Sequence, residues 1–216
     1  MTAALDHLVL AVPDLEAAVD DLARRTGAVA VAGGSHPGRG TRNALVGLTW
    51  RGDHRCYLEL LAADPAQPDV RPEDTMLGFG RFGSGFAPRL HTWAVRPDDL
   101  DAALRAARGA GIEVGEPVAA SRTSPAGTGL AWRLAVPDPL GFDGLQPFLI
   151  DWEGASHPSD ADLPVLELLG LELAHPDAER LGAVLRVLGV DPPVVRARTA
   201  SLRARLSTPA GVVELP

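Results

Sequence analysis

Two histidines and a recurring acid are the residues of this chain whose types and spacing could do chemistry. His7 lies in Leu5-Asp6-His7-Leu8-Val9, six residues before Pro13, and His91 lies six residues before Pro97. The same count back from Pro176 reaches Gly170. Tyr57-Leu58-Glu59-Leu60, Leu149-Ile150-Asp151-Trp152 and Val212-Val213-Glu214-Leu215 each read apolar, apolar, acid, apolar. An acid in such a strand is costly to bury alone and must meet solvent, an arginine or a metal. Neutral imidazoles with carboxylates suit a divalent ion, Zn, Fe, Mn or Ni, and leave positions open for substrate. His7, His91 and Glu59 form the expected triad, with Asp151 as an optional fourth ligand. For each residue singly a plainer account competes, a histidine satisfied by a backbone carbonyl and an acid in solvent. His36, His54, His157 and His175 fall in turns or connections and read as ordinary surface histidines.

These residues need strands to carry them. Around Pro13 the pattern is a strand, an Asp14 N-cap, and a helix with Leu15, Ala18, Val19 and Leu22 on one face, stopped at Gly27. Ala28 to Ala32 reads as a short strand and 33–40 as a Gly/Pro-rich loop. Strands follow at 41–48 and 55–62, so the order is βαβββ. The pattern returns after Leu90, with strands at 113–120, 130–136 and 145–152, and a third time, shortened, from Leu166. We read a first module over 1–64, a connection over 65–88, a second module over 89–153 that pairs with the first, and a third, shorter module over 165–216. Phe79, Phe82 and Phe86 read as anchors packing the connection onto the core, with a substrate lid as the second reading. The fold class expected is α+β: repeated βαβββ modules forming a partly open mixed β-barrel with flanking helices, plus a C-terminal half-module.

Composition bounds the function. With 46% hydrophobic residues over 216 the chain has ample material for a core. A net charge of -8 disfavours nucleic acid as a partner. The chain holds no lysine, which removes Schiff-base chemistry. Cys56 is the single cysteine and reads as a buried, inert thiol. No apolar run is long enough to span a membrane, and no signal-peptide pattern opens the chain, so a cytoplasmic location is expected.

The strand Leu5 to Val9, the stretch His36-Pro37-Gly38-Arg39-Gly40-Thr41-Arg42-Asn43-Ala44-Leu45, the strand Tyr57 to Leu60 and Pro147 to Trp152 together resemble the vicinal oxygen chelate superfamily, in its branch of glyoxalase-like domain proteins. The resemblance covers the first two modules well. It implies a partly open barrel around the site, with metal ligands at His7, His91, Glu59 and Asp151. It further implies Lewis-acid chemistry on adjacent substrate oxygens, with a glutamate as base. Asp151 is one methylene shorter than the glutamate of the pattern, and Gly170 gives the third module a structural part.

The function expected is therefore a divalent-metal-dependent lyase or isomerase acting on a small oxygen-rich metabolite, with Glu59 also as base. Asn43, Trp93 and Arg133 are the substrate contacts. Asn43 serves equally as a partner for backbone groups in the next strand, and Arg133 as a counter-ion for Asp151. The alternative is a metal-free small-molecule binding or resistance protein. The third module, left with a sheet edge, suggests a homodimer.

Overall fold

A computed structural model describes residues 2–83, 85–123 and 129–216; residues 1, 84 and 124–128 of the expected modules and connection lie outside it. The order of elements is β1 (Ala3–Ala11), α1 (Leu15–Thr26), β2 (Val31–His36), β3 (Thr41–Trp50), β4 (Asp53–Ala63), then β5 (Arg89–Pro97), α2 (Leu100–Gly109), β6 (Pro117–Thr123), β7 (Gly129–Ala135), β8 (Phe148–Asp151), and finally β9 (Val165–His175), α3 (Ala178–Val187), β10 (Val194–Arg196), β11 (Ser201–Thr208) and β12 (Gly211–Leu215). The βαβββ order thus occurs three times.

The helices start and stop where their end chemistry dictates. Asp14, Asp99 and Asp177 each accept a backbone N–H in the first turn, and Gly27 closes α1 at φ 77. Two loop readings change. The strand β2 runs through Gly33, Gly34, Ser35 and His36, which the sequence reads as loop. Gly33 is needed there for close approach, because a Cβ would stand 2.2 Å from Asn43 Oδ1 and 2.6 Å from an Arg122 nitrogen. In the connection, 3-10 turns form at Pro72–Asp74 and Met76–Phe82; Phe79, Phe82 and Phe86 pack on one another and against the interior core cluster.

The sheet runs β12-β11-β9-β3-β2-β6-β7-β8-β5-β1-β4, and β4 also pairs with β3. Eight strands of the first two modules therefore curve round on themselves. Their weakest seam is β2 with β6, joined in register at Ser35 and Thr123, which leaves the barrel partly open. The third module extends the same sheet through β9, which lies parallel to β3 with Gly47 opposite Val165.

Strand alternation divides the core in two. Leu8, Leu10, Leu58, Leu60 and Trp93 face the helices in one large cluster that continues into the third module through Leu173, Leu185 and Leu206. Val9, Tyr57, Leu45, Trp132, Phe148 and Ile150 face the barrel interior in a second. Among the described residues no helix is long and apolar enough to cross a membrane.

Candidate active site

Among the described residues the barrel interior holds a polar cluster. His7 and Glu59 come from neighbouring parallel strands, where His7 lies opposite Tyr57 and Val9 opposite Glu59, so both side chains point inward. Asn43 reaches Glu59 from β3, and His36 enters from the end of β2. His7 Nε2 stands 3.7 Å from Glu59 Oε2, and His36 Nε2 stands 3.8 Å from Glu59 Oε1. The Asn43 amide donates to Glu59 Oε1 at 2.5 Å. An Arg122 N–H lies 3.5 Å from Asn43 Oδ1, bringing a cation to the same cavity. His7, His36, Asn43 and Glu59 are all buried.

Each histidine is held from behind. His7 Nδ1 lies 2.7 Å from Asp6 Oδ1. A carboxylate only accepts, so the neutral His7 ring carries its proton on Nδ1 and turns the Nε2 lone pair towards Glu59. The ring also stacks on Tyr57 at 4.6 Å between centroids. His36 Nδ1 meets Thr41 Oγ1 at 2.9 Å. Burial lowers the pKa of His36, outweighing the nearby Glu59 charge, and burial raises that of Tyr57 well above the phenol range.

Asp6 occupies the extra position of a β-bulge. Leu5 pairs with Val95 and His7 with Ala94, so Asp6 has no opposite residue and its side chain turns beneath the barrel floor. There, fully buried, it meets Arg96 at 2.8 Å, Trp152 Nε1 at 2.9 Å and His157 Nε2 at 3.2 Å as well as His7. Burial alone would raise its pKa, but the hydrogen bonds from His157 and His7 hold it far below the ordinary carboxylate range. The ring of His157 is oriented by its own 3-10 turn, where Nδ1 accepts from the Ser159 backbone N–H.

The expected metal set does not converge. His91 sits at the companion bulge of β5, between Leu90 opposite Leu10 and Thr92 opposite Val9. The bulge re-aims its ring, and Nε2 lies 2.8 Å from the Leu77 carbonyl, beside Phe82. Asp151 misses by one residue: Phe148, Ile150 and Trp152 face the interior of β8, and Asp151 faces away, accepting from the Glu153 N–H. Trp93 is buried on the helix side and donates to the Leu145 carbonyl. Arg133 pairs with Asp101 at the surface, although it lies in register with Asp151. Of the expected residues, His7, Glu59 and Asn43 come together.

His36, His157 and Arg122 are the residues sequence reasoning missed. His36 and His157 are buried and not surface histidines. The signal for His36 was present in its spacing, since hairpin pairing sets His36 opposite Thr41 and Gly34 opposite Asn43. Arg122 lies two residues past the strand end expected at 120. Cys56 is buried, with its thiol pKa pushed up to about 12 by desolvation, as an inert cysteine should be.

A divalent ion would ask more of these residues than they offer. A tetrahedral site with bonds of 2.0–2.1 Å sets its donors about 3.3 Å apart. Both histidine-to-Glu59 separations exceed that, Asn43 already occupies Glu59 Oε1, and Arg122 brings positive charge to the same cavity. Among the described residues no three His, Cys, Asp or Glu side chains are placed to hold a metal ion. The arrangement does not fit a resident metal. It does fit proton transfer: a carboxylate and an oriented imidazole lone pair face one space, with amide and guanidinium N–H groups beside it for an oxyanion.

The space itself is small, about 20 Å³, room for roughly one water molecule. Trp132, Trp152, Phe148 and Leu134 wall it, and Met76 and Leu77 of the connection close it.

The family model described as "Glyoxalase-like domain" matches residues 5–189. No curated protein matches the chain in sequence. A hypothetical protein from Staphylococcus aureus superposes with a TM-score of 0.67 at 14% identity, over 92% of this chain and 88% of that one. Methylmalonyl-CoA epimerase from Mycobacterium tuberculosis gives 0.44 at 23% identity, over 68% and 86%. A variant of the Streptomyces coelicolor methylmalonyl-CoA epimerase, in complex with 2-nitronate-propionyl-CoA, gives 0.47 at 23% identity, over 69% and 97%. With its family model spanning most of its length, this chain belongs to the glyoxalase-like domain family.

Proposed function

We propose that the protein is a lyase or isomerase that moves a proton on a small oxygen-rich metabolite bound among His7, His36, Asn43, Glu59 and Arg122. The observation that carries this reading is the Asp6–His7 pair, closed at 2.7 Å through Nδ1, which sets His7 Nε2 3.7 Å from the Glu59 carboxylate. Glu59 removes a proton from the carbon next to a substrate carbonyl. The abstracted proton passes from the Glu59 carboxyl to the bare His7 Nε2, and Glu59 or His7 returns it to carbon, while Asn43 and Arg122 favour the negative charge that develops on oxygen. His36, kept neutral by burial, lines the space without adding a competing charge.

The test is deuterium uptake from D₂O at the carbon beside the carbonyl, followed by NMR over a panel of 2-hydroxy, 2-keto and 2-methyl acids and thioesters. Wild type is expected to exchange at least one of them, and Glu59→Gln to lower that rate by about 10²–10⁴-fold. No exchange with any compound, or exchange undiminished in Glu59→Gln, contradicts the proposal. Metal content accompanies it: after incubation with Zn, Fe, Mn or Ni and desalting, less than one ion per chain is expected. A stoichiometric ion lost in Glu59→Gln would return the centre to Lewis-acid chemistry.

A second reading, a metal-free binding or resistance protein, draws support from the Trp132 and Trp152 rings, 5.3 Å apart on the cavity wall. Ligand-induced tryptophan quenching without turnover would favour it. A cytoplasmic setting and pairing of two chains along the β12 edge, where Val212 is 62% exposed, belong to the same proposal. A monomeric mass in solution contradicts the pairing.

A further inference from the structure

The inner cavity cannot admit a metabolite as it stands, yet a cavity of about 540 Å³ lies directly against it. That larger space falls within the roughly 300–1,000 Å³ usual for small-molecule sites. The two cavities share Met76, Leu77 and Leu134 as lining, so the tip of the connection is the wall between them.

Leu77 adopts φ 55, ψ 24, a left-handed conformation uncommon for a bulky side chain. Strain of this kind persists where surrounding structure enforces it, and collects at ligand clamps. The enforcement is visible. The His91 ring meets the Leu77 carbonyl at 2.8 Å, and Met76 N–H donates to the Arg39 carbonyl. Gly80 packs so closely on Pro72 that a Cβ would stand 2.6 Å from its Cα. The outer cavity has an apolar floor of Val118, Ala120, Leu134, Val136 and Leu140. Its acids are each paired with an arginine: Asp138 with Arg81 at 2.8 Å, Glu116 with Arg108 at 3.0 Å and Glu73 with Arg71 at 3.4 Å.

We infer that the outer cavity is the tail subsite of the substrate, and that Leu77 is the partition its acidic head must pass. The ligand is then an elongated small molecule with an oxygen-bearing acidic head, destined for Arg122 and Asn43, and an apolar tail of several carbons resting on the Val118 side. This rests on the site reading above for the head group only. His91, which the sequence offers as a metal ligand, is the latch on the partition.

The experiment uses the full chain in a Trp50→Phe background, which removes the partly exposed Trp50 signal. Leu77→Gly suits the left-handed backbone and deletes the wall, so acrylamide quenching of Trp132 and Trp152 should rise several-fold over the Leu77 parent. In Leu77→Gly, octanoate should suppress that quenching and acetate should do so much less. Val118→Asp, at a half-exposed position on the outer floor, should abolish the octanoate effect and leave that of acetate unchanged. Unchanged quenching on Leu77→Gly overturns the partition. Equal protection by acetate and octanoate, or octanoate protection insensitive to Val118→Asp, overturns the tail subsite. Because the readout is fluorescence, loss of proton exchange in Glu59→Gln bears on the site reading alone.

Discussion

Asp6 is the residue on which the most depends. It is fully buried, ionised, and surrounded by His7, Arg96, Trp152 and His157. Asp6→Asn keeps the shape but removes the charge and one of the two acceptor oxygens shared by a guanidinium, an indole and two imidazoles. It should cost about 3–5 kcal/mol in urea unfolding, the usual consequence of breaking a buried charge pair from one side. A cost below about 1 kcal/mol, the range of an exposed pair, would show that the network does not hold the floor. Two other buried groups set a pH dependence. His36 and His91 have pKa values lowered chiefly by burial, so the unfolded chain binds protons that the folded one resists. Their contribution is full above the unfolded histidine value of about 6.5 and is lost as pH falls from there through the folded values. Unfolding free energy should therefore drop between pH 7 and pH 5, and His91→Gln, which keeps a donor for the Leu77 carbonyl, should flatten that drop. An unchanged slope would contradict it.

At the scale of elements, β2 and the bulges on β1 and β5 decide where the polar groups go. Gly33→Ala would place a Cβ against Asn43 Oδ1 and Arg122, and should cost about 1–3 kcal/mol as an overpacked site. Its larger effect should be on the cavity, read as altered Trp132 and Trp152 emission with the helix signal in circular dichroism unchanged. This is also where legibility in the sequence ended. The helices and their caps, the first strand and the inward face of His7, Asn43 and Glu59 follow from period and cap chemistry. Gly33 to His36 read as loop because glycine pairs usually break strands, whereas here they admit neighbours that arrive only on folding. His91 matched His7 in the repeat, but equivalence within a repeat is not proximity. The antiparallel register sets Ala94 opposite His7, and a bulge turns His91 to the connection. Asp151 failed for a related reason, since a shift of one residue exchanges the two faces of a strand.

For the whole molecule, the third module matters as structure. It donates β9 to β3, where Gly47 N–H bonds the Pro164 carbonyl and a Cβ on Gly47 would press on Val165. Where the first module has His7, this one has Gly170, packed against the Arg205 guanidinium. Its leucines complete the helix-side core, which runs from Leu5 to Leu215. One continuous core predicts one cooperative transition, with coincident midpoints by tryptophan fluorescence and circular dichroism; separate midpoints would mean that the modules unfold independently. The polar cavity stands on that core, and the proposed chemistry reduces to the state of one ring. Imidazole ¹⁵N NMR of His7 at neutral pH tests it most directly. The proton is predicted on Nδ1, towards Asp6, with Nε2 bare and facing Glu59, and Asp6→Asn should abolish this preference. A His7 ring carrying its proton on Nε2 in the wild-type protein would contradict the proposed chemistry.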